Sequence, residues 1–136
     1  MSVSVSVIVP CYNVAAYLDQ CMESLTGQSM EDIEIICVND GSSDRTAEIL
    51  REWRNRDRRV RIIDQKNSGV SAARNSGMEA AAGTYIGFVD PDDMVERNMF
   101  QRLFTAAAEK DADVAVCGYH EFCDRGDMDM PESGWS

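Results

Sequence analysis

Three carboxylates stand within four residues at Asp90-Pro91-Asp92-Asp93, directly after the apolar run from Tyr85 to Val89. Like charges this close repel one another unless something positive offsets them. A hard divalent cation does so, and Mg²⁺ or Mn²⁺ prefers carboxylate and phosphate oxygens. A metal shared between these acids and a diphosphate would stabilise charge on a departing nucleotide. The bland alternative is a helix start decorated with acids that suit its dipole.

Four other places carry polar residues of the same kind. Asp40 follows an apolar run and could accept the ring N–H of uracil or bind ribose hydroxyls, or could simply make an Asx turn with Gly41. Tyr12 could stack on a base, with Pro10 setting the backbone beside it. Lys66 and Arg74 are possible phosphate partners, although either could be an ordinary surface charge.

Strands and helices must bring these residues together. Val3 to Val9 alternates and then turns wholly apolar, which predicts a strand ended by Pro10. Asn13 can cap a helix with Leu18, Met22 and Leu25 on one side and Gly27 as its stop. Ile33 to Asn39 reads as a buried parallel strand. A helix bearing Ile49, Leu50 and Trp53 follows, with Asp44 at its positive end. The charged stretch Arg51 to Arg61 reads as its solvated end. Val60 to Asp64 is a third strand, and Lys66 to Gly69 a loop. Val70 to Ala82 is a small-residue helix whose Ala73, Gly77 and Ala80 permit close packing, ended by Gly83. Thr84 to Val89 is a fourth strand, Met99, Leu103 and Ala106 mark a further helix, and Val114 to Cys117 a fifth strand. Strands alternating with helices imply a parallel sheet with right-handed crossovers. Such sheets bind ligands beyond the carboxyl ends of their strands, where Pro10 to Asn13, Asn39-Asp40, Lys66-Asn67 and Asp90 to Asp93 fall, and Arg74 lies early enough on the third helix to face the same crevice.

The bulk numbers narrow the classes. The 136 residues fit one domain, and 44% hydrophobic content builds an ordinary core. A net charge of −11 argues against nucleic acid as a partner. The five cysteines form no CxxC pair and His120 is the lone histidine, so neither zinc nor a disulfide framework is expected. They read as reduced core thiols. The start of the chain lacks a signal-peptide pattern, and no run is long enough to cross a bilayer. Pro10-Cys11-Tyr12-Asn13 after the first strand excludes the glycine-rich diphosphate cradle of nicotinamide enzymes and phosphate-loop NTPases. A phosphatase built on an Asp-x-Asp nucleophile would carry it after the first strand rather than the fourth.

Taken together, VSVIVPCYN at residues 5–13, VNDGSSD at 38–44 with Thr46, NSGVSAARN at 67–75 with Gly77, and FVDPDD at 88–93 resemble the donor-binding half of family 2 glycosyltransferases. The resemblance spans Ser4 to about Tyr119 and implies an α/β, Rossmann-like GT-A fold. It implies an inverting, metal-dependent transfer from a nucleotide-sugar, a UDP-sugar foremost, to a glycan or lipid-linked acceptor hydroxyl. The setting it implies is cell-envelope polysaccharide synthesis at the cytoplasmic face of the membrane, with peripheral membrane association. Residue by residue, Pro10 and Tyr12 would line the base pocket, Asn13 would belong to the nucleotide site, and Asp40 would bind the base. Asn67, Gly69 and Arg74 would lie near the nucleotide, with Arg74 close to the diphosphate. Asp90 would lie near the ribose and Asp92 would hold Mn²⁺ or Mg²⁺, with Asp93 beside them. Residues 1–119 would form the donor-binding domain. The acidic tail, residues 120–136, would begin the acceptor-binding half or be disordered. The family's catalytic base lies in that later half, and no acid here is a candidate for it. A non-catalytic sugar-nucleotide-binding module would share every one of these motifs.

Overall fold

The computed structural model describes residues 2–109, 120–123 and 126–129. Its main sheet has four parallel strands in the order β3-β2-β1-β4: β1 (Val5–Cys11), β2 (Ile33–Asp40), β3 (Val60–Gln65) and β4 (Tyr85–Phe88). Four helices flank it: α1 (Leu18–Thr26), α2 (Thr46–Arg56), α3 (Val70–Ala80) and α4 (Met99–Glu109). The backbones of β5 (His120–Cys123) and β6 (Gly126–Asp129) pair antiparallel. This pairing falls within the expected acidic tail, the rest of which, with the expected strand Val114–Cys117, lies outside the described residues.

Alternation along the central strands sorts the helices onto two faces. Val5, Val7, Val9 and Cys11 of β1 join Ile33, Ile35 and Cys37 of β2 under Leu18, Met22 and Leu25 of α1 and Leu50 and Trp53 of α2. Phe100 of α4 belongs to the same cluster, and Tyr85 meets Phe104 edge to face. On the opposite face Ile36 and Val38 pack with Ala73 of α3. Both faces are therefore covered, and β2 is buried at every position.

The small residues of α3 let it lie against β1. A Cβ added at Gly77 would stand 2.5 Å from Cγ2 of Ile8, a fully buried, β-branched side chain. Gly77→Ala should gain up to about 1 kcal/mol of helix propensity but cost about 1–3 kcal/mol in overpacking. A net loss of stability in urea denaturation is expected; a variant as stable as its parent would show that the α3–β1 contact can yield.

The amino end of the sheet is tied by a buried acid. Glu34 accepts hydrogen bonds from Ser6 Oγ (2.6 Å), the Ala82 amide (2.7 Å) and Arg61 Nη1 (2.7 Å). Burial alone would raise its carboxyl, but the bonds from Ser6, Ala82 and Arg61 outweigh that and hold it below the ordinary value. A depressed folded value means that the stabilisation is complete above the unfolded value, about 4.3, and is lost as pH falls through the folded one. Glu34→Gln should therefore lower stability at pH 7 and make the fall of stability between about pH 5 and 3 shallower. An unaltered acid limb in denaturation curves would remove Glu34 from that linkage.

Several expected boundaries shift. β1 starts at Val5 and runs through Pro10 to Cys11. Proline is tolerated because Ile8 and Pro10 direct their backbone groups toward β4, and the last rung there is Val89 N–H to Ile8 C=O. Pro10 cannot donate the next one, so β4 ends and the chain turns away at Asp90. Asn13 does not cap α1, which begins at Leu18 after Tyr17 and has no side-chain cap. α3 ends at Ala80 rather than Ala82, because the Ala82 and Gly83 amides are taken by Glu34 and Ser6 Oγ.

Candidate active site

The candidate site lies at the carboxyl edge of the sheet, where the chain order reverses. β2 and β3 lie on one side of β1 and β4 on the other, and the segments after all four parallel strands leave the same carboxyl edge of the sheet. Pro10 is buried in β1 at this edge. Tyr12 follows on the surface, 50% exposed, with its ring available for stacking.

Asn13 sits in left-handed backbone, φ 52°, which asparagine tolerates. Its Oδ1 accepts from the amides of Ser43 (2.8 Å) and Asp44 (3.3 Å), and its own amide donates to Ser42 Oγ (3.0 Å). Thr46 Oγ1 accepts from the Val14 amide, and Asp44 Oδ2 from the Ala15 amide. These bonds hold the loop after β1 beside the loop after β2. Asp44 Oδ1 also accepts from the Thr46 amide at 2.9 Å, which fits its expected place at the start of α2.

Asp40 lies at the end of β2 and is 4% exposed. It makes no Asx turn; Asn39 does that work, its Oδ1 accepting from the Ser42 amide at 3.2 Å. Asp40 reaches across the sheet edge instead. Its Oδ1 accepts from Gln65 Nε2 (3.0 Å) and the Ser68 amide (2.8 Å), and its Oδ2 from the Gly69 amide (2.9 Å). Burial works against the charge, but the bonds from Gln65, Ser68 and Gly69 hold the carboxyl below its ordinary value. Carboxylate oxygens offer about four acceptor positions, so Oδ2 has capacity for one more donor. Gly41, φ +73°, allows the Asn67 amide so close that an added Cβ would meet it at 2.7 Å. Asn67 and Lys66 are exposed on this loop.

Gly69 precedes α3, and Arg74 lies on that helix about 7 Å farther along the axis. Arg74 Nη2 approaches Asp90 Oδ1 at 3.5 Å. Its Nε is buried and makes no hydrogen bond among the described residues. Asp40, Gly69, Arg74 and Asp90 thus form one connected path along the sheet edge.

The acidic turn stands at the end of this path. The Asp93 amide donates to the Asp90 carbonyl (3.0 Å), which folds the turn back so that all three acids are exposed. One oxygen from each of Asp90, Asp92 and Asp93 lies within 4.8 Å of the others. Oxygens about 2.1 Å from a single Mg²⁺ must stand roughly 3–4 Å apart, a spacing that exposed side chains reach by small rotations. The donor set therefore fits a hard cation. Cys21 lies beneath, its Sγ 3.7 Å from the Asp90 carbonyl oxygen. Burial pushes its thiol far up, and Cys11 and the carboxylates of Asp93, Asp92 and Asp90 push the same way. Cys11, Cys21 and Cys37 are all free and buried, as core thiols should be.

Sequence patterns missed what supports this turn. Ser24 and Gln28, near the end of α1, bond to the segment after it. In the sequence they sit at a helix end and in a turn, where polar residues are ordinary.

The family Glycosyl transferase family 2 matches residues 6–134. The Uncharacterized glycosyltransferase EpsJ of Bacillus subtilis (strain 168) is 51% identical over 117 residues, which cover 86% of this chain and 34% of that protein. S. aureus TarS 1-349, solved in complex with UDP-GlcNAc, superposes with a TM-score of 0.71 at 32% identity, covering 79% of this chain and 31% of that one. The mannosyltransferase PcManGT from Pyrobaculum calidifontis, in complex with GDP-Man and Mn²⁺, shares the fold at a TM-score of 0.64 and 23% identity, over 69% of this chain and 29% of its own. This chain thus spans about a third of the length of EpsJ. Four motif blocks on four converging loops, within an α/β fold shared with GT-A glycosyltransferases, place the chain in glycosyltransferase family 2.

Proposed function

We propose that this chain binds a UDP-sugar together with Mn²⁺ or Mg²⁺ as the donor half of an inverting glycosyltransferase. The observation that carries the reading is the Arg74–Asp90 contact, which couples the helix beside the Asp40 loop to the acidic turn. Tyr12 stacks on the base, and Asp40 accepts the base N–H at the remaining position of Oδ2. Asn67 and Gly69 wall the nucleotide, and Pro10 and Asn13 fix the backbone beneath it. Asp92 and Asp90 hold the cation with Asp93 beside them, and Arg74 donates to the diphosphate. When bound, the cation supplies Lewis-acid stabilisation of the charge on the departing nucleoside diphosphate. The acceptor hydroxyl attacks C1 as the bond to the diphosphate breaks, inverting that carbon. No described residue is assigned to take the acceptor's proton.

A UDP-sugar is favoured because TarS, at 32% identity, was solved with UDP-GlcNAc. The acceptor class is a glycan or lipid-linked sugar of a bacterial envelope, reached from the cytoplasmic face. No helix among the described residues is long and apolar enough to cross a membrane. Calorimetry with UDP tests the reading: binding should strengthen on adding Mn²⁺. An absence of binding to UDP, GDP and CDP alike, with and without the metal, would reject it.

A further inference from the structure

The acidic turn belongs to a long connection that has no strand or helix of its own between β4 and α4. Such a segment holds a metal-binding geometry only if something outside it fixes its backbone. Besides the Val89–Ile8 rung and the Arg74–Asp90 contact, several anchors come from α1 and from Gln28 and Ser29 just after it. Cys21 lies under Asp90, Ser24 Oγ accepts from the Val95 amide (3.2 Å), and the Ser29 amide donates to the Arg97 carbonyl (2.8 Å).

Gln28 is the most deeply engaged of them. It is a buried polar side chain with every polar atom used. Its Nε2 donates to the Ser24 carbonyl (3.1 Å) and the Glu96 carbonyl (2.7 Å), while its Oε1 accepts from the Phe100 amide (3.2 Å). Phe100 is the second residue of α4, where a backbone N–H has no partner within its own helix. One amide side chain therefore fastens the connection just before α4 and the first turn of α4 to the end of α1. A glutamine suits this because it offers both donors and an acceptor on one planar group.

We propose that Gln28 is a positioning residue for the metal-binding turn: it sets the backbone that aims Asp90 and Asp92, without touching ligand itself. The inference rests on the donor-site reading above. Losing an outer support of a metal site typically costs about 10–100-fold in metal affinity. Gln28→Met keeps length and volume while removing all three bonds. It should raise the Mn²⁺ concentration for half-maximal binding, at saturating UDP, by roughly tenfold, read from the electron paramagnetic resonance of free Mn²⁺. UDP affinity in chelator should stay within about twofold, since the Asp40 side of the crevice is fastened separately. Ser24→Ala should give a smaller rise. Glu34→Gln, which loosens the ties at the opposite, amino end of the sheet, should give none and serves as the control for general destabilisation.

A Mn²⁺ midpoint for Gln28→Met within about twofold of the parent overturns the proposal. So does an equal fall in metal affinity and metal-free UDP affinity, the signature of a merely loosened fold. If Gln28→Met does not fold, Gln28→Asn decides: the neutral amide is kept but stands one methylene short of its three partners, and the same rise is expected. A parent chain that shows no Mn²⁺-dependent UDP binding would instead defeat the donor-site reading, and this inference with it.

Discussion

Asp92→Ala should abolish Mn²⁺-dependent UDP binding and leave the fold intact. Outer supports of a metal site are worth about 10–100-fold in affinity, and removing a ligand oxygen should cost at least the upper end of that range. The side chain is exposed and shares its turn with two other carboxylates, so its loss relieves repulsion rather than opening the core. Stability should stay within about 0.5 kcal/mol of the parent. Calorimetry in Mn²⁺ and in chelator separates the effects, because the variant's UDP affinity should match the parent's once metal is removed. A variant that binds UDP and Mn²⁺ as well as the parent would transfer the metal role elsewhere.

Asp40→Ala should weaken UDP binding by about 1.5–3 kcal/mol, the scale of a hydrogen bond to a charged group and roughly ten- to hundredfold in affinity. Unlike Asp92, it should also destabilise the protein. Truncation strands the amides of Ser68 and Gly69 and the Gln65 side chain, which now share one buried carboxylate. Each unsatisfied donor costs about 1–3 kcal/mol where water cannot reach it. Chemical denaturation and UDP titration should therefore both move. If stability falls and UDP affinity does not, Asp40 is a loop anchor and no base contact.

The alternation of strand and helix and the placing of polar residues at strand ends were legible, because both follow from periodicity and from the parallel sheet it implies. Periodicity did not pair Arg74 with Asp90; only the family resemblance put both near one nucleotide, and their side-chain contact depends on how α3 lies against the sheet. Other features depend on tertiary partners that no local pattern carries. Pro10 reads as a strand stop, but its missing N–H falls where the β4 ladder ends, so β1 passes through it. Asn13 resembles a helix cap by type and position, yet the amides it meets belong to Ser43 and Asp44, thirty residues later. Asp40 followed by Gly41 suggests a turn, while the donors that claim its carboxylate come from the loop after β3. Gln28 carries no periodic signal because its partners lie some seventy residues on.

Paramagnetic broadening of backbone amide signals by Mn²⁺, in the presence of UDP, tests most directly whether these loops share one ligand. Signal should be lost early at Asp90, Asp92 and Asp93, and then at Tyr12, Gly69 and Arg74, while Glu34 and Ala82 at the far end of the sheet persist. Broadening that spread over the acidic surface without regard to the crevice, or that spared Arg74 and Gly69 while striking Glu34, would contradict it.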